Sequence, residues 1–226
     1  MLDAAECDPT FASERVRAVI AGGPGAMFKS KEGAEDNPLQ AERDLRRIKL
    51  SARDVLVGIA ASGETPYTLG GLRYARRLGA KTVALTVNPA APMKALADVF
   101  IAPQVGPEVI AGSSRMKAGT AQKLVLNMLS TATMVRLGRV FSYWMISMKL
   151  TNQKLRQRAQ RILSRATGAG PARAARTLKA AGGSLPVALL MLEHGIKREE
   201  AQELLTSGKS IASILRASAG AQRPRK

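Results

Sequence analysis

The apolar residues of this chain change their period near its middle. Up to about residue 102 they fall in short, nearly unbroken runs separated by amphipathic stretches; beyond residue 114 they recur at helical spacings. Arg15–Gly23 (RVRAVIAGG) is a β-branched run closed by Gly-Gly and predicts a strand and a turn. Ala26–Asp36 is polar with helical composition, and Glu42–Leu50 predicts a second short helix. Asp54–Ala60 and Lys81–Val87 are almost wholly apolar, as strands of a parallel sheet covered on both faces are. Between them Pro66–Leu78 has helical spacing, with Leu69, Leu72, Tyr74 and Ala75 inward. Pro92–Ala97 predicts a short helix and Asp98–Ala102 a last strand. Strands alternating with helices in this way predict an α/β fold, a doubly wound parallel sheet. Ligands then belong at the carboxyl ends of the strands: Ala21–Gly23, Ala61–Thr65, Asn88-Pro89 and Pro103–Ser114.

Ser114–Gly138 predicts one long helix, capped by Ser113 or Ser114, and Val140–Thr167 a second. The remainder is Ala-rich and interrupted by Gly168, Gly170, Gly182, Gly183, Gly195 and Gly208, which predicts three or four short helices and a frayed tail. The expected division is an α/β domain over 1–149 and a small all-α module over 150–226.

Composition narrows the function. The 226 residues carry 35 Lys and Arg against 17 Asp and Glu, a net charge of +18. Residues 1–149 hold 20 basic and 13 acidic residues; residues 150–226 hold 15 and 4. That balance suits anionic partners such as phosphorylated metabolites, and equally a well-solvated basic surface. No aromatic residue interleaves with the basic runs, so a stacking platform for nucleic acid is not expected. The longest charge-free stretch, 180–192, is short of the ~20 residues a membrane span needs. The first ten residues have no basic n-region, and the single cysteine, Cys7, fits a reducing, cytoplasmic compartment. A single histidine, His194, excludes a multi-histidine metal site, and no metal is expected.

Two segments combine hydroxyls with a helix start. Ala61-Ser62-Gly63-Glu64-Thr65-Pro66 offers two hydroxyls, a glycine and free helix N-terminal amides, which suits a phosphate. It reads also as an ordinary cap, with Thr65 at the cap and Pro66 at the first helical position. Gly106-Pro107-Glu108 followed by Gly112-Ser113-Ser114-Arg115-Met116-Lys117 adds two cations to the same theme, again with a simple capped helix as the alternative. Carboxylates are scarce in the α/β half. Glu6 lies beside Cys7, and Glu32 and Glu35 lie in KEGAED. Two carboxylates converging from separate loops can serve as general acid and general base; each reads also as a solvent-facing glutamate.

Several segments together resemble the N-acetylmuramic acid 6-phosphate etherases: LDAAECDPTF (2–11), VIAGG (19–23), EGAED (32–36), DVLVGIAASGETPY (54–67), TVNP (86–89), VGPEVIAGSSRMKAGTAQKLVLNMLSTATM (105–134), LGRVF (137–141) and TNQKL (151–155). SGET (62–65) is a broader signature of sugar-phosphate isomerase domains. The resemblance implies a sugar isomerase (SIS) fold, a homodimer, and a place in cell-wall amino sugar recycling without a metal or redox cofactor. The implied reaction cleaves the lactyl ether of N-acetylmuramic acid 6-phosphate by elimination and hydration. Glu6 then matches the acid that serves the leaving group and Glu35 the second acid/base carboxylate. Ser62, Gly63 and Thr65 match the phosphate loop, and Glu108, Ser113, Ser114 and Lys117 the sugar-binding surface. Three departures stand out. The chain begins inside a family motif, without the upstream strand expected in the middle of the sheet, whose loss would leave unpaired backbone and a divided core. Asp8 stands where Pro is usual, and Glu64 where the etherases usually have Arg. Tyr143–Ser147 differs from the family's version. A non-catalytic sugar-phosphate-binding module, like the glucokinase regulatory proteins that share this domain, is the alternative reading.

Overall fold

The computed structural model describes residues 15–207, 211 and 213–215. The described residues form two compact units, the first over Val16–Met128 and the second from Leu129 onward.

The first unit is α/β. Strands β1 (Val55–Ile59), β2 (Lys81–Leu85) and β3 (Val99–Ile101) form a parallel sheet in the order β1-β2-β3. Helices α1 (Pro38–Arg47) and α2 (Pro66–Arg77) pack on one another, and α2 packs on β1 and β2. Asn37 caps α1 by accepting from the Gln40 amide at 3.1 Å. The two helices approach closely at Gly70, where a Cβ would lie 2.3 Å from the Pro38 carbonyl oxygen. Leu72 of α2 is fully buried against Ala60, Ala84, Ala91 and Met93. Gly58 admits it, since a Cβ there would stand 2.9 Å from Leu72 Cγ. Asp98 ties the starts of β2 and β3 by accepting from the Thr82 amide (2.8 Å) and hydroxyl (3.0 Å) and from Lys81 Nζ (3.2 Å).

The fold class is as expected, and so are the predicted strands over 54–60, 81–87 and 98–102, each slightly shortened. The first predicted strand is not a strand. Residues 17–20 have no regular secondary structure and pair with no strand among the described residues, and a β-ladder needs a partner. The polar 26–36 region forms two 3-10 turns, Pro24–Met27 and Ala34–Asp36, in place of a helix. Leading with Pro and broken by Gly33 in the left-handed region, it cannot continue a helical ladder.

Helix α3 (Lys117–Arg136) begins in the first unit and ends in the second. The second predicted long helix, Val140–Thr167, is overturned. A tight hairpin, β4 (Val140–Phe141) against β5 (Trp144–Met145), occupies its first part, with Ser142 at φ 53° in the turn. Helix α4 (Gln153–Thr167) starts only after Asn152, which accepts from the Leu155 amide at 2.9 Å. Then α5 (Pro171–Ala180), α6 (Leu185–His194) and α7 (Arg198–Thr206) follow as predicted. Their core holds Leu163, Leu178, Leu185, Leu189 and Leu190 at 4% exposure or less.

Candidate functional site

The exit of β1 builds the site. After Ala60 the chain turns through Ala61–Thr65 into α2, and the exit of β2 pins that turn. Thr86 Oγ1 donates to the Ala61 carbonyl at 2.8 Å, and Asn88 Nδ2 donates to the Ser62 carbonyl at 3.1 Å. Gly63 is buried at φ +74°, and a Cβ there would lie 2.3 Å from Ala91 Cβ. Any side chain at 63 would therefore push the turn off the Ala91 surface. The Ser62 hydroxyl accepts from the Glu64 amide at 3.2 Å, and Thr65, at the start of α2, makes no side-chain cap. The alternative of Thr65 as an ordinary capping residue is thus not realised. Its hydroxyl, the α2 dipole and the first-turn amides remain uncommitted to a cap, a setting that favours an anion.

This turn opens onto a cavity of about 640 Å³ that lies within the first unit. Its polar end is lined by Glu35, Asp36, Ser62, Glu64, Thr65 and Ser114. Glu35 comes from the 3-10 turn before α1, which the Asn37 cap and the Gly70 approach hold against α2. The polar end carries three carboxylates and no Lys or Arg. Among the described residues, charge for an anion comes from the helix dipole, with Glu64 opposing it. The remaining lining is apolar: Val19, Ile20, Leu45, Leu56 and Ala60 among others.

Of the predicted residues, Glu35, Ser62, Thr65 and Ser114 meet at this cavity, and Gly63 shapes it from below. Glu6 lies outside the described residues, as do Cys7 and Asp8. Glu32 is exposed and does not line the cavity; nor do Glu108, Ser113 and Lys117. Glu108 accepts from the Lys117 amide (3.1 Å) and the Ala118 amide (2.9 Å), which makes it the cap of α3 from a distant loop. Those two amides hold its carboxyl below the usual carboxylate range. Lys117 Nζ donates to the Pro107 carbonyl at 2.8 Å, closing the same loop. Ser113 and Ser114 therefore do not cap α3.

Sequence reasoning missed the buried pair behind the cavity. Tyr67 donates its hydroxyl to Asp44 at 2.8 Å, with Gln40 Nε2 on the other carboxylate oxygen at 3.0 Å. Burial, and then the Asp44 carboxylate, push the Tyr67 hydroxyl above its ordinary value. An aspartate on the inward face of a predicted amphipathic helix was the available signal.

Comparison with known proteins points one way. Residues 4–76 match the family model of the glucokinase regulatory protein N-terminal SIS domain. The chain is 49% identical over 211 residues to an N-acetylmuramic acid 6-phosphate etherase of Clostridium botulinum (strain Loch Maree / Type A3), covering 92% of this chain and 70% of the relative. It is 53% identical over 207 residues to the protein of that name from Edwardsiella ictaluri (strain 93-146), covering 91% and 69%. Against its counterpart from Vibrio campbellii (strain ATCC BAA-1116) it is 50% identical over 204 residues, covering 89% and 66%.

Proposed function

The chain belongs to the N-acetylmuramic acid 6-phosphate etherase family, and from that premise we propose how its residues share the work of a carbon–oxygen lyase. The substrate is N-acetylmuramic acid 6-phosphate, and the products are N-acetylglucosamine 6-phosphate and D-lactate, in amino sugar recycling. The phosphate sits on the Ser62–Thr65 turn, where backbone amides, two hydroxyls and the α2 dipole meet it. A base removes the proton at C2 of the sugar. The C3–O bond breaks, and an acid protonates the departing lactate oxygen. Water then adds across the double bond, its oxygen at C3 and a proton at C2. Glu35 and Glu6 divide these proton transfers, Glu6 serving the leaving group. Two carboxylates suit the task because one must be charged while the other carries a proton.

The observation that carries this reading is the meeting of Glu35 with Ser62, Thr65 and Ser114 around one cavity at a strand's carboxyl end. Residues 1–149 supply the chemistry, and 150–226 form an accessory helical module. The protein works in the cytoplasm as a homodimer. Exposed Leu124 and Met128, one turn apart on α3, with exposed Met116 before it, support a self-association face. The reaction needs no cofactor.

The test is release of D-lactate from the substrate by the purified chain, followed with a lactate dehydrogenase couple. Glu6→Gln and Glu35→Gln should each lower turnover by at least ~100-fold, the lower end of general acid–base contributions. Undiminished release by the double variant defeats the assignment. The match of residues 4–76 to a regulatory protein's SIS domain favours a second reading, a binding-only module. Retained affinity for N-acetylglucosamine 6-phosphate with no turnover by the unmodified chain would select it.

A further inference from the structure

A turn that holds an anion on its backbone depends on which way its peptide groups point. In the 61–63 turn two successive carbonyls are bonded to the exit of β2. The Ala61 carbonyl accepts from the Val87 amide at 3.1 Å and from Thr86 Oγ1 at 2.8 Å. The Ser62 carbonyl accepts from Asn88 Nδ2 at 3.1 Å. A trans peptide sets its N–H opposite its carbonyl. With both carbonyls drawn to β2, the Ser62 and Gly63 amides point away from it, to the side where Ala61, Ser62 and Glu64 line the cavity. The two side-chain donors are themselves fixed. The buried Thr86 hydroxyl also accepts from the Asn88 amide at 3.1 Å. Asn88 Oδ1 accepts from the Ala90 amide at 3.0 Å, so its Nδ2, and not its oxygen, faces the Ser62 carbonyl. Neither Thr86 nor Asn88 lines the cavity, so each acts through the turn and not on a ligand.

We propose that Thr86 and Asn88 are positioning residues of the anion site, each holding one peptide of the turn with its N–H toward the phosphate. Thr86 governs the Ser62 amide and Asn88 the Gly63 amide. This inference rests on the phosphate reading of the turn. Gly63 makes the Asn88 bond necessary. A side chain at 63 is barred, because its Cβ would lie 2.3 Å from Ala91 Cβ. Glycine in turn offers little resistance to a change of φ, so the peptide between Ser62 and Gly63 can turn over at small cost. Turned over, it would present a carbonyl oxygen to the phosphate in place of an N–H. The bond from Asn88 Nδ2 holds the peptide the right way round. The Thr86 bond does the same one peptide earlier, where the Val87 amide shares the task. Hydrogen bonding at a carbonyl also polarises the N–H of the same peptide and makes it a stronger donor. Both effects act on the turn's own backbone donors, which carry more of the binding where Glu64 opposes an anion.

The experiment titrates the full chain, labelled with nitrogen-15, with N-acetylglucosamine 6-phosphate. In the unsubstituted chain the Ser62 and Gly63 amide resonances should move downfield, as donors to a phosphate do. Asn88→Ala should weaken binding about tenfold, the scale of one net hydrogen bond, and lose most of the shift at Gly63 while keeping most of it at Ser62. Thr86→Val should show the reverse pattern, with the loss at Ser62. Thr86→Ser keeps the hydroxyl and should bind within about twofold of the unsubstituted chain. Dispersed spectra of the free variants verify that each is folded. A Kd for Asn88→Ala within about threefold of the unsubstituted value overturns the proposal. So does a loss shared equally by the two amides in both variants, the mark of a turn that has merely loosened, and so does Thr86→Ser binding as weakly as Thr86→Val. Absence of any response at Ser62–Thr65 in the unsubstituted chain overturns the phosphate reading and this proposal together, whereas a response that survives Asn88→Ala intact overturns this proposal alone.

Discussion

Glu64 is the residue at which this chain most weakens its own proposed ligand. It is exposed at the polar end of the cavity, beside Ser62 and Thr65, and among the described residues no cation lines that end to offset it. A carboxylate within a few ångströms of a phosphate repels it even at water-like screening, by an amount that matters beside a single hydrogen bond. Reversing the charge removes the repulsion and adds an attraction. Glu64→Arg should therefore tighten N-acetylglucosamine 6-phosphate binding about tenfold at low salt, an advantage that shrinks as ionic strength rises. Titration calorimetry at two salt concentrations measures both. Asp98 shows the opposite case, a carboxylate well provided for. The Thr82 amide, the Thr82 hydroxyl and Lys81 hold it at about 2, against an ordinary 3.8. Its native value is depressed, so its stabilisation is complete above about pH 4 and is lost as pH falls through 2. Asp98→Asn should lower Tm at pH 6, and the gap from the unsubstituted chain should close between pH 4 and 2. A gap that stays constant down to pH 2 contradicts that account.

Among the elements, the α1–α2 pair decides where Glu35 stands. Gly70 lets the start of α1 lie on α2, and the Tyr67–Asp44 bond ties the two helices further along. Asp44 is 6% exposed, so removing the donor leaves a buried carboxylate short of a partner. Tyr67→Phe should cost about 1–3 kcal/mol. Asp44→Leu in the Tyr67→Phe background should cost less than the two single changes together, since no buried charge is left behind. Urea unfolding of the four proteins measures the cycle, and strict additivity would show that the two side chains do not interact. This pair also marks where the sequence stopped being legible. The strands over 54–60 and 81–87 could be read because unbroken apolar runs have few other destinies, and Ser62-Gly63-Glu64-Thr65 because hydroxyls and glycine precede Pro66. Long-range partners are invisible to periodicity. Glu108 capping α3 from nine residues away, and Asn88 pinning the Ser62 carbonyl, depend on loop paths that no local pattern encodes. The hairpin at 140–145 was missed for a different reason: apolar residues at mixed spacings suited a helix, while Asn152 carried the true start signal. The 17–20 segment misled in the other direction, with strand composition but no strand partner among the described residues.

At the scale of the molecule, the two units differ in how complete their cores are. Buried Leu163, Leu185, Leu189 and Leu190 anchor a broad apolar cluster in the second unit. The cluster of the first unit is built on Ala60, Leu72, Ala84, Ala91 and Met93, three of them alanines, beside a cavity. Small side chains beside a cavity bury less apolar surface, which places the first unit at the low-stability end of the chain. Calorimetry should accordingly show two transitions. N-acetylglucosamine 6-phosphate at ~100 times its Kd should stabilise the first unit by about 2.7 kcal/mol and raise the lower transition alone. Leu189→Ala, which empties a fully buried site of the second unit, should cost that unit about 2–5 kcal/mol and move the upper transition down toward the lower. If the ligand raises the upper transition instead, the helical unit is the weaker one. The alanine-rich cluster of the first unit would then be a smaller liability to this chain than its small side chains suggest.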